Sequence, residues 1–382
     1  MIYLDNAATS FPKAPGVAEA MTDFLTHRAG NPGRSGHALA LAAQAAVEDA
    51  RRLVAALLGA PDPERIAFAL NATDALNAAL WGALRPGDRV VTTGVEHNAV
   101  ARPLRALEDR GVRVSRVRCA PDGALDPDDV ARELRAAPTR LVAMAHASNV
   151  AGTILPAREV ARLAHEHGAL LLLDAAQTAG VLPIDVVELG VDLLAFPGHK
   201  GLLGPTGTGG LYAAPGVRLA PLRQGGTGTV SEEERHPEDM PEALEAGTVN
   251  TVGIAGLAAA VRYVQGRGVA DLRTREAALT GRLLGALREI PGLRLHGPGD
   301  PARQVAAVSF TLGSWDPGDL AAVLDSSFGI AARPGLHCAP AAHRTLGTFP
   351  SGTLRLSPGC FTTEDEIDQA VAALRELAEA AP

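Results

Sequence analysis

The stretch that most restricts the fold is residues 140 to 177, RLVAMAHAS, then PAREVARLAHEHG, then ALLLLDAAQ. An apolar run of strand length, a helical pattern and a second apolar run make a strand–helix–strand unit, and a helix joining two strands sets them parallel in one sheet. In the middle piece Val160, Leu163 and Ala164 share a helical face, Pro156 suits the helix start and Gly168 its end. Residues 169–173 are apolar throughout, as a strand covered on both faces requires. Asp174 then stands at that strand's carboxyl end, the edge where open α/β sheets bind ligands.

A second run, VDLLAFPGHKGLLGP (191–205), also passes from apolar strand to glycine-rich loop and delivers His199 and Lys200 to the same edge. This alternation extends from about residue 40 to 260. After about residue 262 the order becomes helix (RTREAALTGRLLGALREI), strand (QVAAVSFTL), helix and strand, which reads as a smaller α+β domain. The closing segment EDEIDQAVAALRELAEA places Ile367, Val371, Leu374 and Leu377 on one face, behind a capping box of Thr363 and Glu366. SEEERHPEDMPE (231–242) reads as a polar surface excursion.

At 382 residues the chain is long enough for two domains with full cores. It carries 35 Lys and Arg against 43 Asp and Glu, and its arginines are scattered, which argues against nucleic acid or an anionic membrane as partner. Its three cysteines, Cys119, Cys338 and Cys360, lie far apart without metal-ligand spacing, so neither a disulfide framework nor a metal site is expected, and a reducing, cytoplasmic setting fits. The opening MIYLDNAATS has an acid at position 5 and does not read as a signal peptide. No stretch approaches the roughly 20 apolar residues of a membrane span, so a soluble protein is expected.

Lys200 and Lys13 are the only lysines in this chain. A lysine beside glycines is ordinarily a solvated charge. Where arginine supplies nearly all the positive charge, however, a lysine in a strand-end loop points to a need for a primary amine, which can lose its proton and form a Schiff base. Asp174 has a plain reading as a loop cap. Its sharper reading is as partner to the protonated ring nitrogen of pyridoxal phosphate (PLP), and the pair with Lys200 is what such chemistry needs. Thr73, near the start of the helix in LNATDALNAAL, is either its N-cap or a phosphate ligand. His97 follows a strand in EHN and is either structural or placed over a cofactor ring. Arg355, alternating with Leu354 and Leu356, is either a surface residue or a clamp for a carboxylate. Cys338, in RPGLHCAP, is either a nucleophile or a small apolar residue.

Taken in order, YLDNAATS, NATDALN, EHN, HASNVAGTILP, DAAQ, GHKG, EAGTVNT and RPGLHCAP resemble the cysteine desulfurases and selenocysteine lyases of the class V aminotransferase fold, in the branch whose cysteine motif is R-x-G-x-H-C-A. The resemblance runs from residue 2 to about 375. It implies an α/β, fold type I PLP-dependent transferase, with a large domain over 16–262 built on a mostly parallel seven-stranded sheet. Residues 1–15 and 263–382 would form the small α+β domain.

The resemblance also implies roles. Lys200 is the Schiff-base lysine, Asp174 the ring-nitrogen partner, Gln177 a donor to the phenolic oxygen and His97 the residue stacked on the ring. Ala72, Thr73 and His199 lie at the phosphate, and Thr248 reaches the phosphate of the second subunit of a homodimer. Asn149 and Arg355 hold the substrate carboxylate, Arg333 and His37 line the pocket, and Cys338 accepts sulfur from L-cysteine, leaving L-alanine and a persulfide. Arg333, with His337, would favour the thiolate. A selenocysteine lyase, a class V aminotransferase and a non-catalytic scaffold are the alternatives, and a sulfur- or selenium-acceptor protein is a further partner. Two positions depart from the pattern: Pro197 replaces a serine before GHK, and Asn71-Ala72-Thr73 replaces GTT. Cys119 and Cys360 read as packed residues.

Overall fold

The computed structural model describes residues 1–33, 36–229 and 232–379. Of the segments singled out above, Ser231 and Ala380 lie outside them.

Seven strands form the principal sheet, in the spatial order Ile66–Ala69, Gly209–Ala213, Leu193–Pro197, Leu170–Asp174, Leu141–Ala145, Arg89–Thr93, Arg113–Val117. Only Gly209–Ala213 runs against its neighbours. The rest are parallel, so the expected mostly parallel seven-stranded sheet is present. The apolar runs explain why: Leu141–Ala145 and Leu193–Pro197 are buried at every position, which only a strand covered by helices on both faces can be. In the helix Ala157–Glu166 the residues Val160, Ala161, Leu163 and Ala164 are buried against that sheet. Each fully buried Leu or Val contributes about 1.5–3 kcal/mol. Pro156 is the N-cap, and Gly168 takes the left-handed backbone (φ 69°) that turns the chain into the next strand.

The C-terminal part carries an antiparallel four-stranded sheet in the order Arg333–Gly335, Thr353–Leu356, Val308–Leu312, Leu293–His296. The helices Val269–Arg288 and Glu364–Glu379 pack on it in a second core that includes Ile367, Val371, Leu374 and Leu377. Thr363 and Glu366 form the expected capping box, Glu366 N–H donating to Thr363 Oγ1 (3.2 Å) and Thr363 N–H to Glu366 Oε2 (2.8 Å). The strand Ile2–Tyr3 pairs in parallel with Ile330–Ala331, tying the first residues of the chain to this C-terminal part. Among the described residues no helix is long and apolar enough to cross a membrane.

Candidate active site

Five strands that point the same way open their carboxyl ends onto one cavity of about 280 Å³. Beyond 66–69 come Asn71, Ala72 and Thr73; beyond 89–93, His97; beyond 141–145, Asn149. The strand 170–174 ends on Asp174 itself and leads to Gln177, and 193–197 leads to His199 and Lys200. The antiparallel sheet supplies the opposite wall with Arg333 and Arg355. A parallel sheet flanked by helices leaves such a crevice at its carboxyl edge.

Electrostatics separates these groups by role. Desolvation pulls the Lys200 amine down to about 8, against the pull of Asp174 and with help from Arg355 and Arg333, so a usable fraction is free amine near neutral pH. Burial pushes the Asp174 carboxyl up, offset by a hydrogen bond from the Ala176 N–H (2.9 Å) and by Lys200. His97 is held down at about 4, chiefly by burial and next by Lys200. Its Nδ1 accepts from the Ala99 N–H (3.0 Å) as N-cap of the helix Asn98–Glu108, which leaves the proton of the neutral ring on Nε2.

Arg355 is 1% exposed, far from the surface residue its alternating strand allows. Its Nη1 donates to the Asn149 carbonyl (2.8 Å) and its Nη2 to Asp5 Oδ1 (2.8 Å), while Nε has no partner among the described residues. Arg333 pairs directly with Arg355 across the sheet. Like charges placed opposite one another destabilise a sheet, and a buried guanidinium with an orphaned N–H adds to that cost. An anion in the cavity that the two arginines line would relieve the repulsion between them.

Cys338 is exposed, with its Sγ 4.0 Å from Arg333 Nη2. It and His337 form two consecutive left-handed residues, at φ 57° and 48°. The loop is held by hydrogen bonds to its backbone: Asn98 N–H donates to the Cys338 carbonyl (2.8 Å) and Asn149 Nδ2 to the His337 carbonyl (2.7 Å). Burial pushes the Cys119 and Cys360 thiols up to about 11. Brief alkylation with iodoacetamide at neutral pH is therefore expected to label Cys338 alone, because only the thiolate reacts. Peptide mass spectrometry that found Cys119 or Cys360 labelled as fast would contradict this ordering.

Several expectations need correction. His37 does not line the cavity: it is exposed and caps the helix Ala38–Leu58, its Nδ1 accepting from the Ala40 N–H. The expectation for Thr248 concerns a second subunit and needs none; on its own chain the residue is exposed and lines another cavity, with Arg51 and Glu245. Thr73 is not the N-cap of its helix; Asn71 is, its Oδ1 accepting from the Asp74 N–H (2.9 Å). His337 cannot supply a cation beside Cys338, because burial, with Arg355 adding, holds it at about 3 and the ring is neutral. Sequence reasoning missed Glu96, a buried carboxyl raised to about 8 by desolvation, which ties two strand ends together by accepting from Thr93 Oγ1 (2.5 Å) and the Ala145 N–H (3.1 Å). It also passed over Asn71 and Asp5. Glu96 next to the flagged His97 was the available signal.

Known proteins similar to this chain in sequence and in architecture are plentiful. The family described as Aminotransferase class-V matches residues 2–370. A protein of Methanothermobacter thermautotrophicus called a probable cysteine desulfurase is 38% identical over 99% of this chain and 94% of its own length. Another of that name, from Halobacterium salinarum, is 39% identical over 98% of this chain and 91% of its own. Among solved structures, the apo cysteine desulfurase of Thermococcus onnurineus NA1 superimposes with a TM-score of 0.93 at 33% identity, covering 99% of this chain and 95% of that one. The Escherichia coli cysteine desulfurase CsdA gives 0.88 at 31% identity, with the same two coverages. With the family matched over nearly its whole length and the fold shared at this level, the chain belongs to the class-V aminotransferase family.

Proposed function

We propose that this chain is a PLP-dependent cysteine desulfurase that converts L-cysteine to L-alanine and keeps the sulfur as a persulfide on Cys338. The observation that carries the reading is the meeting in one cavity of a deprotonatable Lys200, a buried Asp174 and the facing Arg333 and Arg355. The donor set fits the cofactor: an amine for its aldehyde, a carboxyl for its ring nitrogen, and a helix start at Ala72 and Thr73 for its phosphate. When bound, PLP supplies an electron sink for charge developing at the substrate Cα.

The residues divide the remaining work. Lys200 would hold the cofactor through its amine and would serve as the base that takes the substrate Cα proton and returns protons to the product. Asp174 would keep the ring nitrogen protonated, Gln177 would donate to the phenolic oxygen, and the neutral His97 ring would stack on the cofactor. Thr73, Ala72 and His199 hold the phosphate. Arg355 with Asn149 takes the substrate carboxylate, and Arg333 lies between that carboxylate and the thiol. The Cys338 thiolate attacks the substrate sulfur, the carbon–sulfur bond breaks, and an external thiol or acceptor protein then removes the transferred sulfur.

The same reading divides the chain into a cofactor domain, 16–262, and a smaller one, 1–15 with 263–382. It also takes the exposed Thr248 to serve the site of a second copy in a homodimer, in the cytoplasm. The test is product analysis of the PLP-loaded protein with L-cysteine and with L-selenocysteine. Alanine from L-cysteine, with sulfide released when an external thiol is present to reduce the persulfide, is the expected result. Alanine from selenocysteine alone would make the chain a selenocysteine lyase, and a keto acid in place of alanine would make it an aminotransferase.

A further inference from the structure

Lys13 and Lys200, the chain's two lysines, meet at one loop. Lys13 Nζ lies 3.1 Å from Thr9 Oγ1, 3.1 Å from Ser10 Oγ and 3.0 Å from the carbonyl oxygen of His199, the residue before Lys200. An ammonium has three N–H groups on one atom and here meets three acceptors, an arrangement that a planar guanidinium cannot reproduce. That is a reason for lysine here in a chain that otherwise uses arginine.

The His199 carbonyl also accepts from the Ser10 N–H (2.9 Å) and Ser10 Oγ (3.1 Å). Thr9 Oγ1 stands 3.1 Å from that carbonyl and 3.1 Å from His199 Nδ1. Thr9 has one proton and two places to send it. A carbonyl oxygen has two lone pairs, and Lys13 with the two Ser10 donors already exceeds them. With the ammonium also donating to Thr9 Oγ1, the threonine O–H is better directed at Nδ1, which accepts it. A neutral imidazole that accepts at Nδ1 carries its proton on Nε2, and His199 lines the same cavity as Ala72 and Thr73. The ring is neutral, since burial, with Lys200 and Lys13 adding, holds it at about 4. Lys13, lowered by burial to about 8, keeps most of its charge at neutral pH.

We propose that Lys13 is a positioning residue for the phosphate end of the cofactor: acting through Thr9, it fixes His199 as the tautomer that donates into the cavity. The inference rests on the PLP reading and adds to it a reason for the first residues of the chain to fold over the His199–Lys200 loop. It also gives the site a phosphate donor where Pro197 and Ala72 have no side-chain hydroxyl.

The test compares uptake of PLP with uptake of pyridoxal, which lacks the phosphate, by absorbance titration of the apo protein. Lys13→Met and Thr9→Val are each expected to weaken PLP binding by roughly tenfold, the size of one lost hydrogen bond to a charged group, and to leave pyridoxal binding unchanged. Thr9→Ser should restore PLP affinity, and Lys13→Met should cost nothing further in a His199→Phe background. Equal losses for both ligands, or losses that add to that of His199→Phe, would overturn the relay and leave Lys13 a general brace. Should Lys13→Met not fold, the Thr9→Val and Thr9→Ser pair decides the matter. Wild-type protein that took up no PLP would sink the cofactor reading and this inference with it, whereas tight wild-type binding unchanged in Lys13→Met would sink the inference alone.

Discussion

Lys200→Arg is expected to remove turnover of L-cysteine as completely as Lys200→Ala, by about a thousandfold or more, the range in which loss of a covalent anchor and proton carrier falls. Arginine keeps the positive charge beside Asp174 but cannot lose its proton, so the comparison separates a lysine needed as a cation from one needed as an amine. The amine sits at about 8 because its burial outweighs Asp174. Only its unprotonated form captures an aldehyde, so the rate of PLP uptake by the apo protein should rise with pH up to about 8 and then level off. A Schiff base absorbs near the violet edge of the visible and is fixed by borohydride. Wild-type protein should therefore hold PLP after reduction and dialysis, and neither variant should. Retention of even a few per cent of wild-type alanine release by Lys200→Arg would show that charge, not nucleophilicity, is what the position supplies.

The sheet and its functional edge were legible because both follow from period and punctuation. Apolar runs with no polar face must be strands covered on both sides, and polar residues at their ends must lie on one edge. Asp174, His199 and Lys200 could thus be placed together without coordinates. Arg355 could not, because alternation gives the same pattern for a surface strand and for one whose second face meets another sheet. Its burial depends on packing against Asn149 and Asp5, 206 and 350 positions away.

The misplaced residues have local causes. Asn71 and Thr73 are both good N-caps, and the choice turned on backbone angles: Asn71 is extended (φ −175°) whereas Thr73 is already helical. His37 belongs to a motif that the resemblance puts at the pocket, yet within one chain it caps a helix at the surface. His337 looked like a cation because histidine often is one. Burial between His343 and the Arg333 carbonyl makes it a neutral link instead, with Nδ1 3.3 Å from His343 Nε2 and Nε2 3.0 Å from the carbonyl oxygen. Lys13 carried a signal in its rarity, but a single lysine near a chain start has too many plain explanations until its three acceptors are seen.

The second large effect concerns Cys338. Cys338→Ala is expected to lose L-cysteine turnover by about a hundredfold or more, the scale for a missing nucleophile, while still binding PLP and keeping its fold. The fold should survive because the side chain is exposed and the loop is held through backbone carbonyls, which alanine retains. Two successive left-handed residues cost about 1–2 kcal/mol each, and the donors Asn98 and Asn149 offset that cost by fixing the Cys338 and His337 carbonyls. The thiol therefore rides on a fixed loop, with the Arg333 guanidinium 4.0 Å from its Sγ. Removing that cation should act on the same step: Arg333→Gln should slow alkylation of Cys338 and lower turnover, whereas His337→Asn, which deletes a neutral ring, should change the alkylation rate far less. Selenocysteine is the discriminating substrate. Its carbon–chalcogen bond is weaker, so Cys338→Ala should retain more activity on selenocysteine than on cysteine. Undiminished alanine release from L-cysteine by Cys338→Ala, with no persulfide detectable on the wild-type protein, would remove Cys338 from the reaction. The cavity would then be left with the transaminating chemistry that Lys200 and Asp174 can perform without it.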